Sequence, residues 1–270
     1  MSRSATILDG LHMLDVIYVV YNRCISSIAS LIPLCESTAV ANIVVCDNST
    51  DKQIKQINQD YQVDKLIYVS MHGNEGLSRA YNEAIKHTSS KYVMILDDDT
   101  SIPNGYVDTV QSYIVEHPEA DVFLPIVKSS KIIMSPCKKG HFRFSAIPSI
   151  DRMPQKISAI NSGMIVKSSL YQFIKYRESL FLDMVDHAFM DDARSVGAKL
   201  QVMPDAVLSQ DYSRETDDYD SAARRYKISE ADNRTYYSDK KFGKLYCEFQ
   251  LLYWKIKSCI HFGTLKALCW

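Results

Sequence analysis

Short apolar runs rich in Val, Ile and Tyr alternate with amphipathic stretches over residues 14 to about 99. This rhythm predicts a parallel sheet with crossover helices. Residues 14–21, 42–47, 65–70 and 91–96 read as strands, each ending in polar residues. Residues 26–35, 52–61 and 76–87 read as helices; in the last, Leu77, Ala80, Tyr81, Ala84 and Ile85 recur at helical spacing. After Pro103 the pattern predicts a helix over 106–116, a strand over 121–127, and a Lys/Ser/Pro-rich flexible hairpin or loop to about residue 155. A strand near 162–166, a helix near 185–196 and strands near 199–203 and 206–210 follow. The expected fold class is α/β: a doubly wound, mostly parallel sheet with a mixed region beyond it and a helical tail.

The tail divides in two. Residues 211–239 are dense in Asp, Arg and Tyr and poor in aliphatics, which predicts a mobile surface segment. Beyond it Phe242, Leu245, Tyr246, Phe249, Leu252, Tyr253, Ile256 and Ile260 advance by three and four, one apolar helical stripe. Residues 240–270 carry six lysines against one acid, Glu248. Two readings stay open: a helix docked on the core with a solvated basic edge, or an anchor at a bilayer interface. The clustering of Tyr246, Phe249, Tyr253, Trp254, Phe262 and Trp270 near Lys240, Lys241, Lys244, Lys255 and Lys257 suits the second. The expected division is a sheet-bearing domain over 1–212, with halves of about 14–100 and 101–212, and a polar segment with helical tail over 213–270.

Composition narrows the function. The 270 residues are 46% hydrophobic and 23% charged, as in an ordinary folded protein. With 31 basic against 32 acidic side chains, no global field holds a nucleic-acid backbone, so no nucleic-acid partner is expected. The seven cysteines are scattered without a C-x-x-C and read as buried thiols. No apolar run approaches the ~20 residues of a membrane span. Asp9 and Asp15 interrupt the N-terminal apolar stretch, so a secretory leader is not expected and a cytoplasmic setting is.

The sharpest chemical signal is a buried-type strand running into Asp97, Asp98, Asp99 and Thr100. Adjacent carboxylates repel unless a cation or donors offset them. In an extended chain Asp97 and Asp99 fall on one side and Asp98 on the other, a pair suited to Mg2+ or Mn2+ bridging to diphosphate oxygens. In open α/β sheets ligands bind beyond the carboxyl ends of the strands. The other exits are therefore candidates: Tyr21, Asn22 and Arg23; Asp47, Asn48 and Ser49; and the 73–79 loop.

The motifs around Tyr21, Asp47, Asn74 to Asn82 and Asp97 to Asp99 resemble, in order and spacing, glycosyltransferase family 2, over roughly residues 14–212. The resemblance implies an inverting, hexosyltransferase-type enzyme of the GT-A fold using a nucleotide-diphosphate sugar. Bacterial rhamnosyl- and galactofuranosyltransferase-type members are nearer than processive synthases, whose Q-x-x-R-W motif is missing. By the same resemblance Asp47 hydrogen-bonds the nucleotide base, Tyr21 packs on it, and Asn74 and Arg79 line the nucleotide pocket. Asp97, Asp98 and Asp99 form the D-x-D region, with Asp97 and Asp99 holding the metal and diphosphate. In the segment from Phe181 to Arg194, Asp186 matches the general base and Asp183 the acid before it; a helix cap is the plain alternative for Asp186. Asn161 to Met164 match a loop whose small residues admit the donor sugar, and His187 stands beside the base. Many relatives place a histidine after the late strand as a third metal ligand; here Gln210 or Asp211 stands nearby instead. The implied acceptor is a glycan, on a lipid carrier, in surface polysaccharide synthesis at the cytoplasmic face of the membrane.

Other classes fit less well. A haloacid-dehalogenase-like phosphohydrolase would use Asp97-x-Asp99, but its motif ends the first strand, whereas three predicted strands precede this one. A G-x-G-x-x-G after the first strand, a P-loop and H-E-x-x-H are all absent. A nucleotide-sugar-binding module without turnover is the non-catalytic alternative.

Overall fold

In the computed structural model, which describes residues 13–129, 132–209 and 218–270, the first half follows the hydrophobic rhythm closely. Strands β1 (Leu14–Val20), β2 (Val40–Asp47), β3 (Leu66–Ser70) and β4 (Tyr92–Leu96) pair in parallel in the order β3-β2-β1-β4. Helices α1 (Leu31–Glu36), α2 (Lys52–Asp60) and α3 (Leu77–Ile85) connect them. Alternation along each strand feeds two cores. Ile17, Val44, Cys46, Val93 and Ile95 face one layer, with Ala80 and Tyr81 of α3; Val16, Tyr18, Ile43, Val45, Met94 and Leu96 face the other. Strands β1, β2 and β4 are buried on both faces, so they read as nearly continuous apolar runs.

Helix α4 (Tyr106–Glu116) then leads to β5 (Val122–Ser129). The stretch expected to be a flexible hairpin or loop is a strand pair, β6 (Ile132–Lys139) and β7 (Phe144–Ile147), extended by β8 (Ile157–Ser158). Strand β9 (Ile165–Lys167) lies antiparallel between β4 and β5. Helix α5 (Val185–Ser195) follows. The two late strands expected separately form one, β10 (Leu200–Ser209), parallel to β5 with an irregularity between Met203 and Val207. The result is a mostly parallel inner sheet with a mixed outer region, as expected.

The C-terminal part departs from expectation. Residues 219–237 are not a mobile segment but a 19-residue helix, α6 (Tyr219–Tyr237), opened by the Asp218 carboxylate accepting from Ser221 N. Its inward face is polar and aromatic: Tyr226, Ser229, Asp232, Asn233, Tyr236 and Tyr237 are buried. Low hydropathy concealed this face because its polar groups, Asn233 Oδ1 excepted, are satisfied by hydrogen bonds. Helix α7 (Gly243–Phe262) docks on it through Gly243, Cys247 and Leu251, with Tyr226 Oη donating to Leu251 O (3.3 Å). The stripe read from the sequence lies mainly on the opposite face: Phe242, Leu245, Phe249, Leu252, Tyr253, Ile256 and Ile260 are exposed, and only Tyr246 turns inward. Two lysines of the expected basic edge also turn in. Lys240 sits 3.6 Å from Asp191, and Lys255 Nζ donates to Trp270 O (2.6 Å). No helix among the described residues is long and apolar enough to cross a membrane. Asp9, Gln210, Asp211 and residues 212–217 of the polar segment lie outside the described residues.

Candidate active site

Parallel pairing of β1 to β4 brings their carboxyl ends to one edge of the sheet. The loops there are stitched together. Asn22 Oδ1 accepts from Thr50 N and Asp51 N, both at 2.9 Å. Asn58 of α2 accepts from Ile25 N (2.8 Å) and donates to Asp47 Oδ2 (3.0 Å). Asp47 also accepts from Ser49 N (2.8 Å) and from the Tyr68 hydroxyl (3.1 Å), and it has no exposed surface. Burial and the neighbouring Asp47 charge push the Tyr68 phenol up to about 12, so it remains a donor. In this structure Asp47 therefore braces the rim from inside, and its carboxylate does not face the cavity expected to hold the base. Asn48, a candidate from the same strand exit, fixes the next loop: Nδ2 donates to Gly76 O (3.1 Å) and Oδ1 accepts from Glu75 N (3.4 Å). Gly76, at φ 81°, lies where a Cβ would strike Phe181 at 2.7 Å, so this loop closes directly on the segment before α5.

A cavity of about 1040 Å³ opens between that rim, the β6–β7 hairpin and the C-terminal helices. Asp97, Asp99, Asp183 and Asp186 all line it. The chain leaves β4 in a turn, with Thr100 N donating to Asp97 O (3.1 Å), rather than in the extended form assumed from alternation. The outcome of alternation still holds: Asp97 and Asp99 face the cavity while Asp98 pairs with Arg23 at 3.4 Å. Burial raises the Asp98 carboxyl, and the Arg23 guanidinium opposes that rise. Asp97 and Asp99 offer two hard oxygen donors, enough for a Mg2+-type ion that takes its other ligands from diphosphate and water. No group of three or more His, Cys, Asp or Glu side chains placed to hold a metal occurs among the described residues. Asp97 and Asp99 would supply only part of such an ion's ligand set.

Asp186 is not a helix cap. The cap position of α5 is Met184, held at φ 63°, and Asp186 stands within the first turn. Its Oδ1 accepts from His187 N (2.7 Å). His187 stacks on Phe144, ring centroids 3.7 Å apart, and its Nδ1 meets the Ser158 hydroxyl at 2.8 Å. Burial lowers its pKa, the Asp186 charge opposes this, and Lys139, Lys240 and Arg194 add to the lowering. His187 is accordingly neutral near pH 7.

The segment holding Asp183 is clasped by α6, which sequence reasoning missed. Asp232 accepts from the backbone N–H groups of Phe181, Leu182 and Asp183, each at 2.8 Å, and the Ser229 hydroxyl donates to Asp183 Oδ2. The recurrence of Tyr226, Ser229, Asp232, Asn233 and Tyr236 at helical spacing was the available signal. A second knot ties the same region together: Asp191 receives Arg194 (2.7 Å), Tyr236 Oη (2.8 Å) and Lys139.

Other expected residues stay apart. Tyr21 is about half exposed. Asn74 is exposed and accepts from Gly76 N (3.3 Å). Arg79 is exposed and held by Glu75 at 2.9 Å and Glu178 at 3.8 Å. All three sit on the rim rather than in the cavity lining. Asn161 does line the cavity, accepting from Tyr176 Oη (3.2 Å). Gly163 does not admit a ligand as expected; a Cβ there would meet Leu208 at 2.4 Å and Tyr106 Oη at 2.8 Å, so its role is close packing.

The family profile described as Glycosyl transferase family 2 matches residues 15–172. The chain belongs to glycosyltransferase family 2. Glycosyltransferase GlyA of Streptococcus pneumoniae serotype 4 is 35% identical over 80 residues, spanning 30% of this chain and 11% of that protein. Among solved structures, S. aureus TarS 1-349 superposes with a TM-score of 0.55 at 18% identity, covering 88% of this chain and 69% of TarS 1-349. The same TarS fragment in complex with UDP-GlcNAc gives 0.55 at 17% identity, covering 88% and 70%. These likenesses confirm the GT-A fold expected for a family 2 chain, and family membership sets aside the phosphohydrolase alternative.

Proposed function

We propose that the protein is an inverting glycosyltransferase that moves a sugar from a nucleotide-diphosphate sugar to a hydroxyl of a lipid-linked glycan in surface polysaccharide synthesis. The observation carrying this reading is the meeting of Asp97 and Asp99 with Asp186 in one cavity of a family 2 chain. Asp186 takes the proton of the acceptor hydroxyl as its oxygen bonds the anomeric carbon on the face opposite the leaving group. The bond to the diphosphate oxygen breaks, and its electron pair leaves with the nucleoside diphosphate. Asp97 and Asp99 would hold Mg2+ or Mn2+, which offsets charge on the leaving diphosphate. Asp183, clasped by Ser229 and Asp232, sets the wall beside the base. Because TarS structures hold UDP and UDP-GlcNAc, UDP-sugars are the first donors to test; rhamnose donors follow from the family resemblance.

The exposed face of α7 supports the acceptor assignment and a location at the inner face of the cell membrane. Phe249 and Tyr253 belong both to that face and to the cavity lining, so an apolar path runs from the surface to the reacting groups. Lys241, Lys244, Lys257 and Lys266 are exposed around it. Each lysine near an anionic surface contributes about 1 kcal/mol, screened by salt. The test is nucleotide release from a panel of nucleotide sugars, with bacterial lipid extract as acceptor, with and without EDTA. Transfer into the lipid fraction that EDTA abolishes is expected. Donor retention without release would make the chain a binding module, and EDTA-insensitive transfer would remove the metal.

A further inference from the structure

The cavity carries unmet polar groups far along the sequence from its four carboxylates. Arg225 of α6 and Gln250 of α7 both line it, and the Arg225 Nε–H and Gln250 Oε1 are buried without a hydrogen-bond partner. No carboxylate among the described residues forms a salt bridge with Arg225. Leaving such groups unpaired is costly, and a bound ligand that pairs them removes that cost. Arg143 of the β6–β7 hairpin lines the same cavity, where its charge acts on Tyr246. Phe249, Tyr253 and Trp254 stand on the same helix as Gln250. Cationic donors, one open acceptor and an aromatic rim suit an anionic headgroup with an apolar chain.

We infer that Arg225, with Gln250 and Arg143, forms an anion subsite for a phosphate of the acceptor. This rests on the transferase reading above. The Arg225 guanidinium takes phosphate oxygens, Gln250 Oε1 accepts from a sugar hydroxyl, and the alkyl chain leaves along Phe249 and Tyr253. Donor diphosphate is the other source of the same chemistry; the placement of Arg225 on the helical wall, away from the β4 exit, favours the acceptor. The test is calorimetry of the full chain with octyl phosphate below its micelle concentration, octyl glucoside, inorganic phosphate and UDP. Octyl phosphate should bind more tightly than either octyl glucoside or inorganic phosphate. Arg225→Gln should weaken it at least tenfold, Arg225→Lys should retain most of the affinity, and UDP affinity should not move in either variant. Equal loss of UDP affinity in Arg225→Gln would assign the arginine to the donor. Octyl phosphate binding that is absent, or indifferent to Arg225, overturns the subsite. UDP binding that persists in that case leaves the transferase reading standing, whereas failure of the unmodified chain to bind UDP or any other nucleoside diphosphate of the donor panel removes that reading itself.

Discussion

The wall at the strand exits and the wall built by α6 and α7 enclose one cavity, yet they present different chemistry and draw on different parts of the sequence pattern. On the first wall, Asp97 and Asp99 at the β4 exit and Asp183 and Asp186 at the start of α5 supply the carboxylates, and Asp232 holds the Asp183 segment through its backbone N–H groups. On the helical side, Tyr237, Tyr246, Phe249, Tyr253 and Trp254 supply broad aromatic surface and Arg225 the cation. Carboxylates act through position and protonation, so their placement has to be held. Aromatic faces act through area and tolerate variation in what they cover. On the proposed reading, the difference gives reaction to one wall and acceptor recognition to the other.

The largest expected effect is on the reacting wall. Asp186→Asn should lower turnover by ~10²–10⁴-fold, the usual span of a general base, with UDP affinity by calorimetry unchanged. An active Asp186→Asn alongside a crippled Asp183→Asn would move the base to Asp183. Next is the clasp. Asp232→Asn cannot satisfy all three backbone donors, because Leu182 N and Asp183 N share one oxygen and Phe181 N uses the other. An unpaired buried N–H costs about 1–3 kcal/mol, which denaturant unfolding will register. Displacement of the loop should cut kcat by up to about 10²-fold while leaving the donor KM nearly constant. Equal damage to kcat and donor KM would show that α6 supports the whole cavity rather than the base.

How far each wall was legible follows from what hides a residue from periodicity. The β1–β4 sheet announced itself because β1, β2 and β4 are buried on both faces, and the acidic exit was visible because three adjacent carboxylates have no routine structural use. Alternation also separated Asp98 from its neighbours, although a turn rather than an extended strand carries it out. Asp47 was expected, by resemblance, to hydrogen-bond the nucleotide base; its partners Asn58 and Tyr68 lie 11 and 21 residues away, and only the fold brings them to it. Helix α6 escaped because tyrosines and polar groups, most of them hydrogen-bonded, make its buried face, which hydropathy scores as solvent-exposed. In α7 the stripe was real, but periodicity gives a face without saying which way it points. The small residues Gly243 and Cys247 let the other side approach α6 closely.

That outward stripe offers the third prediction, a smaller one. Ile256→Ser on the exposed face should weaken co-sedimentation with anionic liposomes by about tenfold, as expected for loss of one apolar side chain from a buried setting. High salt should release the unmodified chain, and UDP affinity should stay constant. Substitution is the informative experiment because truncation would delete Tyr246, Phe249 and Trp254 from the cavity wall. Equal sedimentation of the variant and the unmodified chain would return α7 to the simple docked helix with a solvated edge.

The smallest effect concerns His187, which stands where the two walls meet, between Asp186 and the Phe144 ring. Its pKa is lowered in the folded chain by burial, with Lys139, Lys240 and Arg194 adding to the effect and Asp186 opposing it. Above the unfolded value of about 6.5 the ring is neutral in both states and contributes no pH dependence. As pH falls through that value the unfolded chain binds the proton first, so stability declines until the folded-state pKa is also passed. The decline should be seen between pH 7 and pH 5. His187→Gln should remove that part of the slope in thermal unfolding, leaving the contribution of the other six histidines and the acids. An identical slope in the variant would mean that the folded chain protonates His187 as readily as the unfolded one. The Phe144 stack would then tolerate an imidazolium, and Asp186 would have a charged neighbour competing for its carboxylate during transfer.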